Sequence, residues 1–163
     1  QADRNNRCAS LCFLVLALNK NDIFDALAAA LAAKWPGWDL HRNLCPAEFT
    51  RPCFLLEAPR ISRRDANAGL IEETAYLTVT CFGEADDYGN SDVDELAQMQ
   101  ADVIDLFRAG YLRVADRAVK FSASEGGMDF DRAWIDLQCR YFEQRGPKPV
   151  LPLMQEIHME TRA

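Results

Sequence analysis

The sequence predicts an α+β fold, a mainly antiparallel β-sheet built from two hairpins with two α-helices packed on it. Three observations lead there. Apolar residues recur at helical spacing over 22–34 and again from Asp94 to Phe107. Ala75, Leu77, Val79 and Cys81 alternate with Tyr76, Thr78, Thr80 and Phe82, the period-2 signature of a strand with both faces partly covered. At 163 residues and 49% hydrophobic content, the chain has the length of one ordinary domain and enough apolar side chains for a real core. It divides into an N-terminal arm or extra segment (1–19), an α+β domain (20–145) and a Pro-containing C-terminal tail (146–163).

In order along the chain, Arg4 and Arg7 precede the apolar stretch Cys8 to Leu18 in the arrangement of a secretory leader. That stretch is too short to span a bilayer, and no small-x-small cleavage pattern follows it. An arm packing on this chain or a neighbour, a processed leader and added upstream sequence all remain open, since Gln1 is not an initiator residue. Asn21, Asp22 and Asp25 place capping and acidic residues at a helix start, and Ile23, Phe24, Leu27, Leu31 and Trp35 form its apolar stripe. Pro36 and Gly37 stop this helix. Residues 38–51 read as irregular with one short strand, and Cys53 to Glu57 as a buried strand. Arg60, Arg63, Arg64, Asp65, Asn67 and Gly69 read as a charged connection to the alternating strand that ends at Phe82.

Ser91 or Asp92 caps the second helix, whose apolar face is Val93, Leu96, Ala97, Val103, Ile104 and Phe107, with Gly110 as its stop. Tyr111 to Phe121 and Phe130 to Phe142 read as strands separated by the turn residues Ser122, Ser124, Glu125, Gly126 and Gly127. On the last strand, Ala133, Ile135, Leu137, Cys139 and Tyr141 share one face. Arg132, Asp136, Gln138 and Arg140, with Trp134, share the other. Gly146, Pro147, Pro149 and Pro152 lead into a short closing segment, Leu153 to Glu160.

The chemistry points away from several functions. With 18 basic against 25 acidic residues the net charge is −7, the wrong sign for a protein that grips nucleic acid. No Walker loop, GxGxxG, HExxH, GxSxG or CxxC is present. Two histidines, His41 and His158, leave little material for a His-dependent triad. The six cysteines form no CxxC pair, several lie inside apolar runs and they read as buried free thiols, and the spacing of Cys8 and Cys12 relative to the histidines gives a zinc site weak support. No catalytic, cofactor-binding or metal-binding residue is assigned. The carboxylates Glu84, Asp86, Asp87, Asp92, Asp94 and Glu95 crowd together without a basic residue. Capping and the helix dipole account for them more simply than an ion does, and an enzyme or ligand-binding domain would need them to converge in a pocket.

The order helix, hairpin, helix, hairpin, Pro-containing tail resembles the tail terminator proteins of contractile-tailed phages and prophages. The residues that carry the likeness are Asn21-Asp22-Ile23-Phe24-Asp25-Ala26-Leu27, Arg51-Pro52-Cys53-Phe54-Leu55-Leu56-Glu57, the strand Tyr76 to Phe82, the helix Asp94 to Phe107 and Pro152-Leu153-Met154-Gln155-Glu156-Ile157. It spans residues 20–160, and residues 1–19 have no counterpart. The resemblance implies a structural, non-enzymatic ring of about six subunits. Such a ring caps the tail tube, ends tube polymerisation, offers a surface to the head–tail connector and lets DNA pass without specific binding. It implies assembly in the bacterial cytoplasm, a place in the neck of the virion tail, no cofactor and no membrane. A head-completion or adaptor ring shares the size and symmetry. Opposite charges also fall in two separate loops, Arg60, Arg63 and Arg64 against Asp86, Asp87 and Asp92, so that one subunit could meet the next through them. Mere solvation of both loops is the alternative.

Overall fold

The computed structural model describes Leu18 and residues 20–146. The rest of the expected arm, Cys8, Cys12, His158 and the closing segment Leu153 to Glu160 lie outside the described residues. The elements follow one another as helix α1 (Lys20–Lys34), strands β1 (Asp39–Arg42), β2 (Cys53–Asp65) and β3 (Leu70–Phe82), helix α2 (Val93–Leu106), and strands β4 (Tyr111–Val114), β5 (Arg117–Met128) and β6 (Ala133–Gln144). The strands form one six-stranded sheet in the order β1-β2-β3-β6-β5-β4. Every pairing is antiparallel except β1 with β2, which are parallel through the connection 43–52. The fold is α+β as expected.

Alternation decides which face of the sheet is the core. Ala75, Leu77, Val79 and Cys81 of β3 and Ala133, Ile135, Leu137 and Cys139 of β6 point to one side and are fully or almost fully buried. Against them lie Ile23, Phe24, Leu27 and Leu31 of α1 and Leu96, Met99 and Val103 of α2, in a single apolar cluster. Burying one such aliphatic side chain stabilises by about 1.5–3 kcal/mol, so this cluster dominates the folding energy. The sheet curls around α1, which touches β4 at one edge while Trp35, just past its end, packs on Phe54 of β2 at 5.0 Å. Lys34 joins the two helices by an ion pair to Asp102 at 3.2 Å.

Five details depart from the sequence reading. Helix α1 begins at Lys20, two residues earlier than expected, so Asn21 lies inside its first turn with Asp22 rather than ahead of it. The supposed charged connection is strand: β2 runs on to Asp65, and the turn is confined to residues 66–69. There the Asn67 side-chain oxygen accepts from the amides of Gly69 and Leu70 at 2.8 and 2.9 Å. The expected strand Tyr111 to Phe121 breaks at Ala115 (φ 53°), which makes a tight turn between β4 and β5. The second hairpin is therefore a three-stranded meander.

The fourth departure concerns Gly126 and Gly127, which are inside β5, while the β5–β6 turn falls after Met128. Their lack of side chains serves packing. A Cβ on Gly126 would stand 2.8 Å from Nε2 of Gln100, whose amide donates to the carbonyls of Gly127 and Trp134. On the other face, a Cβ on Gly127 would stand 2.3 Å from the ring of its cross-strand partner Trp134. The face of α2 also differs by a few residues: Met99 is buried, whereas Val93, Ala97 and Ile104 are exposed.

Candidate assembly surfaces

Of the six charged residues picked out by the sequence, Arg63 and Arg64 fall at the turn end of the β2–β3 ladder, Arg60 stands a few residues before them opposite Tyr76, and Asp86, Asp87 and Asp92 follow its other end. Phe82, which immediately precedes the acidic segment, pairs with Cys53 at the start of β2, whereas Arg63 and Arg64 oppose Glu73 and Glu72 near the hairpin turn. Ten residues of strand separate the two ends, about 33 Å at the usual rise. Within one chain the basic and acidic groups do not meet.

At the turn end the arginines are split between the faces of the sheet. Arg63 lies on the core side, bound to Glu73, which also accepts from the hydroxyl of Tyr141 at 2.7 Å. Burial, then the Glu73 carboxylate beside it, pushes the Tyr141 hydroxyl well above its ordinary range. On the other side Arg64 reaches Glu72 at 2.8 Å, and Arg140 approaches the same carboxylate at 3.4 Å. Arg60 shares that outer side, its guanidinium stacked 4.6 Å over the ring of Tyr76. Sequence reasoning treated three arginines as one patch. Strand alternation gives Arg60 and Arg64 to one face and Arg63 to the other, and cross-strand pairing supplies two of them with carboxylates.

The acidic end is built from caps. Asp92 is the N-cap of α2, its carboxylate accepting from the amide of Asp94 at 2.8 Å, with Asp94 and Glu95 in the first turn. Asp86 folds back on its own loop to accept from the amides of Tyr88 and Asn90, each at 2.8 Å. These amides, Asn90 first, hold its carboxyl below the ordinary range despite slight desolvation. Asp87 is exposed. Large apolar side chains gather at the same end: Tyr88 is 88% exposed, Val93 61% and Phe130 58%. The amide of Ser91 donates to the carbonyl of Phe130 at 2.9 Å, tying the loop before α2 to the β5–β6 turn.

A third feature escaped the sequence reading altogether. The connection 43–52 folds over the outer face of the sheet, where Phe49 packs on Phe82 at 4.8 Å between ring centroids. Arg51 anchors it, donating to the Asp131 carboxylate at 3.1 Å and the Asp131 carbonyl at 3.0 Å, with its guanidinium over the rings of Phe49 and Phe82. Arg132 adds a second donor to Asp131 at 2.7 Å. Burial alone would raise the Asp131 carboxyl, but the hydrogen bonds from Arg132 and Arg51 outweigh it and the group is held below its ordinary range. Where the connection meets the sheet, its own half-buried Cys45 lies beside buried Cys53 and half-buried His41. Burial pushes the Cys53 thiol up to about 12. The sequence signal for the knot was faint: one arginine before a proline and two charged residues in a turn.

The phage tail terminator protein family matches residues 22–143, most of the chain, and the chain belongs to that family. Membership makes it a component of the phage tail, and the family is a structural one, in keeping with a non-enzymatic role. No curated protein matches the chain. A solved structure is similar to it at 13% identity and a TM-score of 0.42, over 81% of this chain and 99% of the other. Among the described residues no helix is long and apolar enough to cross a membrane.

Proposed function

We propose that this chain caps the tail tube as a closed ring of identical subunits, ends tube polymerisation and presents the head-proximal surface that the connector joins. Family membership over residues 22–143 is the observation that carries this reading. Two further observations support it. Basic and acidic groups stand at opposite ends of the β2–β3 ladder, the arrangement that head-to-tail contacts need, because such contacts join two different patches and close into rings. Beside the acidic end, Tyr88, Val93 and Phe130 expose apolar surface that a neighbouring copy would bury. In the assembled ring, Arg60, Arg63 and Arg64 would face Asp86, Asp87 and Asp92 of the next subunit. The net charge of −7 fits a lumen through which DNA slides without adhering.

The test is to image the full-length protein by negative stain, alone and mixed with tail tube protein, and to weigh the particles by light scattering. Rings of about six copies, seated on tube ends, are expected. A protein that stays monomeric even with tube protein present rules the reading out.

A further inference from the structure

We infer that His41, Cys45 and Cys53 bind one Zn²⁺ ion under the connection 43–52. A ring nitrogen of His41 and the sulfurs of Cys45 and Cys53 all lie within 4.8 Å of one another. Ligand atoms around a tetrahedral Zn²⁺ stand roughly 3.5–3.8 Å apart, given bonds of about 2.0–2.3 Å, so a small side-chain rotation completes the geometry. The independent observation is Nε2 of His41, which is buried and has no hydrogen-bond partner. A buried imidazole nitrogen left without a partner is costly, and ligation of a metal ion through that nitrogen would satisfy it.

Three different pieces of the fold bring the ligands together. His41 is in β1, Cys53 begins β2, and the parallel register that sets Asp39 opposite Cys53 and His41 opposite Leu55 puts His41 and Cys53 on one face of the sheet. Cys45 comes down from the connection, hydrogen-bonded to Cys53. That face is the outer one: Phe54 and Leu56 belong to the core cluster and Cys53 does not. Among the described residues the other buried thiols, Cys81 and Cys139, are in the core cluster, where a thiol acts as a small apolar group.

The donor set fixes the class of ion. Two thiolates and an imidazole suit Zn²⁺, whose preferred ligands are sulfur and nitrogen, and they disfavour Mg²⁺ and Ca²⁺, which take oxygen. With three protein ligands, water takes the fourth position. The ion would staple the connection to β1 and β2. In sequence the three residues have no recognisable metal-binding spacing.

The experiment uses the full-length, reduced, metal-free protein carrying Cys8→Ser and Cys12→Ser, so that thiols outside the described residues do not contribute. Co²⁺ is titrated first, because thiolate ligation gives a sulfur-to-metal charge-transfer band in the near ultraviolet and tetrahedral geometry gives intense visible bands. Zn²⁺ affinity follows by competition with a chromophoric chelator. One equivalent should bind, with a Kd of about 1 µM or tighter, and raise Tm. Cys45→Ser and His41→Gln, both at half-buried positions, should keep the far-ultraviolet dichroism of the parent and weaken binding about a hundredfold or more. Absence of the charge-transfer band, or a Co²⁺ affinity that either variant leaves unchanged, overturns the site. So does a Cys45–Cys53 disulfide in the isolated protein that takes up no metal after reduction.

Discussion

Asp131 is the residue on which the outer-face knot depends. It is 6% exposed and holds two guanidiniums, so Asp131→Asn would leave Arg51 and Arg132 without their counter-charge in a half-buried setting. Removing one partner of such a group costs about 2 kcal/mol, less than for a fully buried pair because Arg132 remains partly solvated. The pH dependence has a definite sign. Because the folded carboxyl is held below its ordinary value, its contribution is complete above the unfolded value of about 4 and is lost as pH falls through the lower folded one. Urea unfolding of wild type and Asp131→Asn should therefore differ by a constant amount near neutrality and converge below about pH 4. A gap unchanged in strong acid would show that the ion pairs are not what Asp131 contributes. Gly127 is the second position where one atom decides. Gly127→Ala drives a methyl group into Trp134 and should cost about 2 kcal/mol, and the cost should shrink in a Trp134→Leu background. Equal costs in both backgrounds would mean that the contact is irrelevant.

At the scale of elements, strand alternation orders the consequences of substitution. Leu77 and Leu137 face one another across β3 and β6 at the centre of the core, so Leu77→Asp or Leu137→Asp buries a charge with no partner and should abolish folding. Asp87→Ala, in an exposed loop, should shift stability by less than about 0.5 kcal/mol. Thermal unfolding followed by circular dichroism checks both, and loss of the fold in Asp87→Ala would call for a different account of the acidic loop. The same contrast explains what the sequence revealed. Both helices, the β3 and β6 core faces and the cap at Asp92 were legible, because each follows from periodicity or from a side chain bonding its own backbone. Residues 60–65 read as connection because charge normally marks loops, and the carboxylates that make strand tolerable there, Glu72 and Glu73, come from the neighbouring strand. Gly126 and Gly127 read as turn because the partners that require small residues there, Gln100 of α2 and the cross-strand Trp134, meet them only through strand register and helix packing. Of the candidate surfaces, the acidic end was legible as caps. The split of the arginines between two faces and the meeting of His41 with Cys45 and Cys53 depended on register and on the path of residues 43–52, which no local pattern encodes.

For the whole molecule, the decisive question is whether opposite charges at the two ends of the β2–β3 ladder hold neighbouring copies together. An exposed pair contributes about 0.5 kcal/mol, too little to hold a dimer. A closed ring repeats the contact at every interface, and about six copies bring the sum to about 3 kcal/mol, enough to shift an assembly equilibrium more than a hundredfold. The choice of residues follows from the internal pairs. Reversing Arg63 or Arg64 would set a carboxylate against Glu73 or Glu72 and damage the hairpin in the monomer, and changing Asp86 or Asp92 would remove a cap. Arg60, stacked on Tyr76, and exposed Asp87 stand outside those pairs. Arg60→Glu alone and Asp87→Lys alone should each weaken the ring at low salt, and the two together should restore much of it, because the swapped charges again attract across the interface. Raising the salt towards 1 M shortens the screening length from about 10 Å to about 3 Å and should shrink all these differences. Light scattering on the four proteins across a salt series reads the outcome. Rings that form equally well in all four leave the ring standing and remove Arg60 and Asp87 from its interface, whereas weakening in the single variants without recovery in the double would place each residue at a contact but not opposite the other.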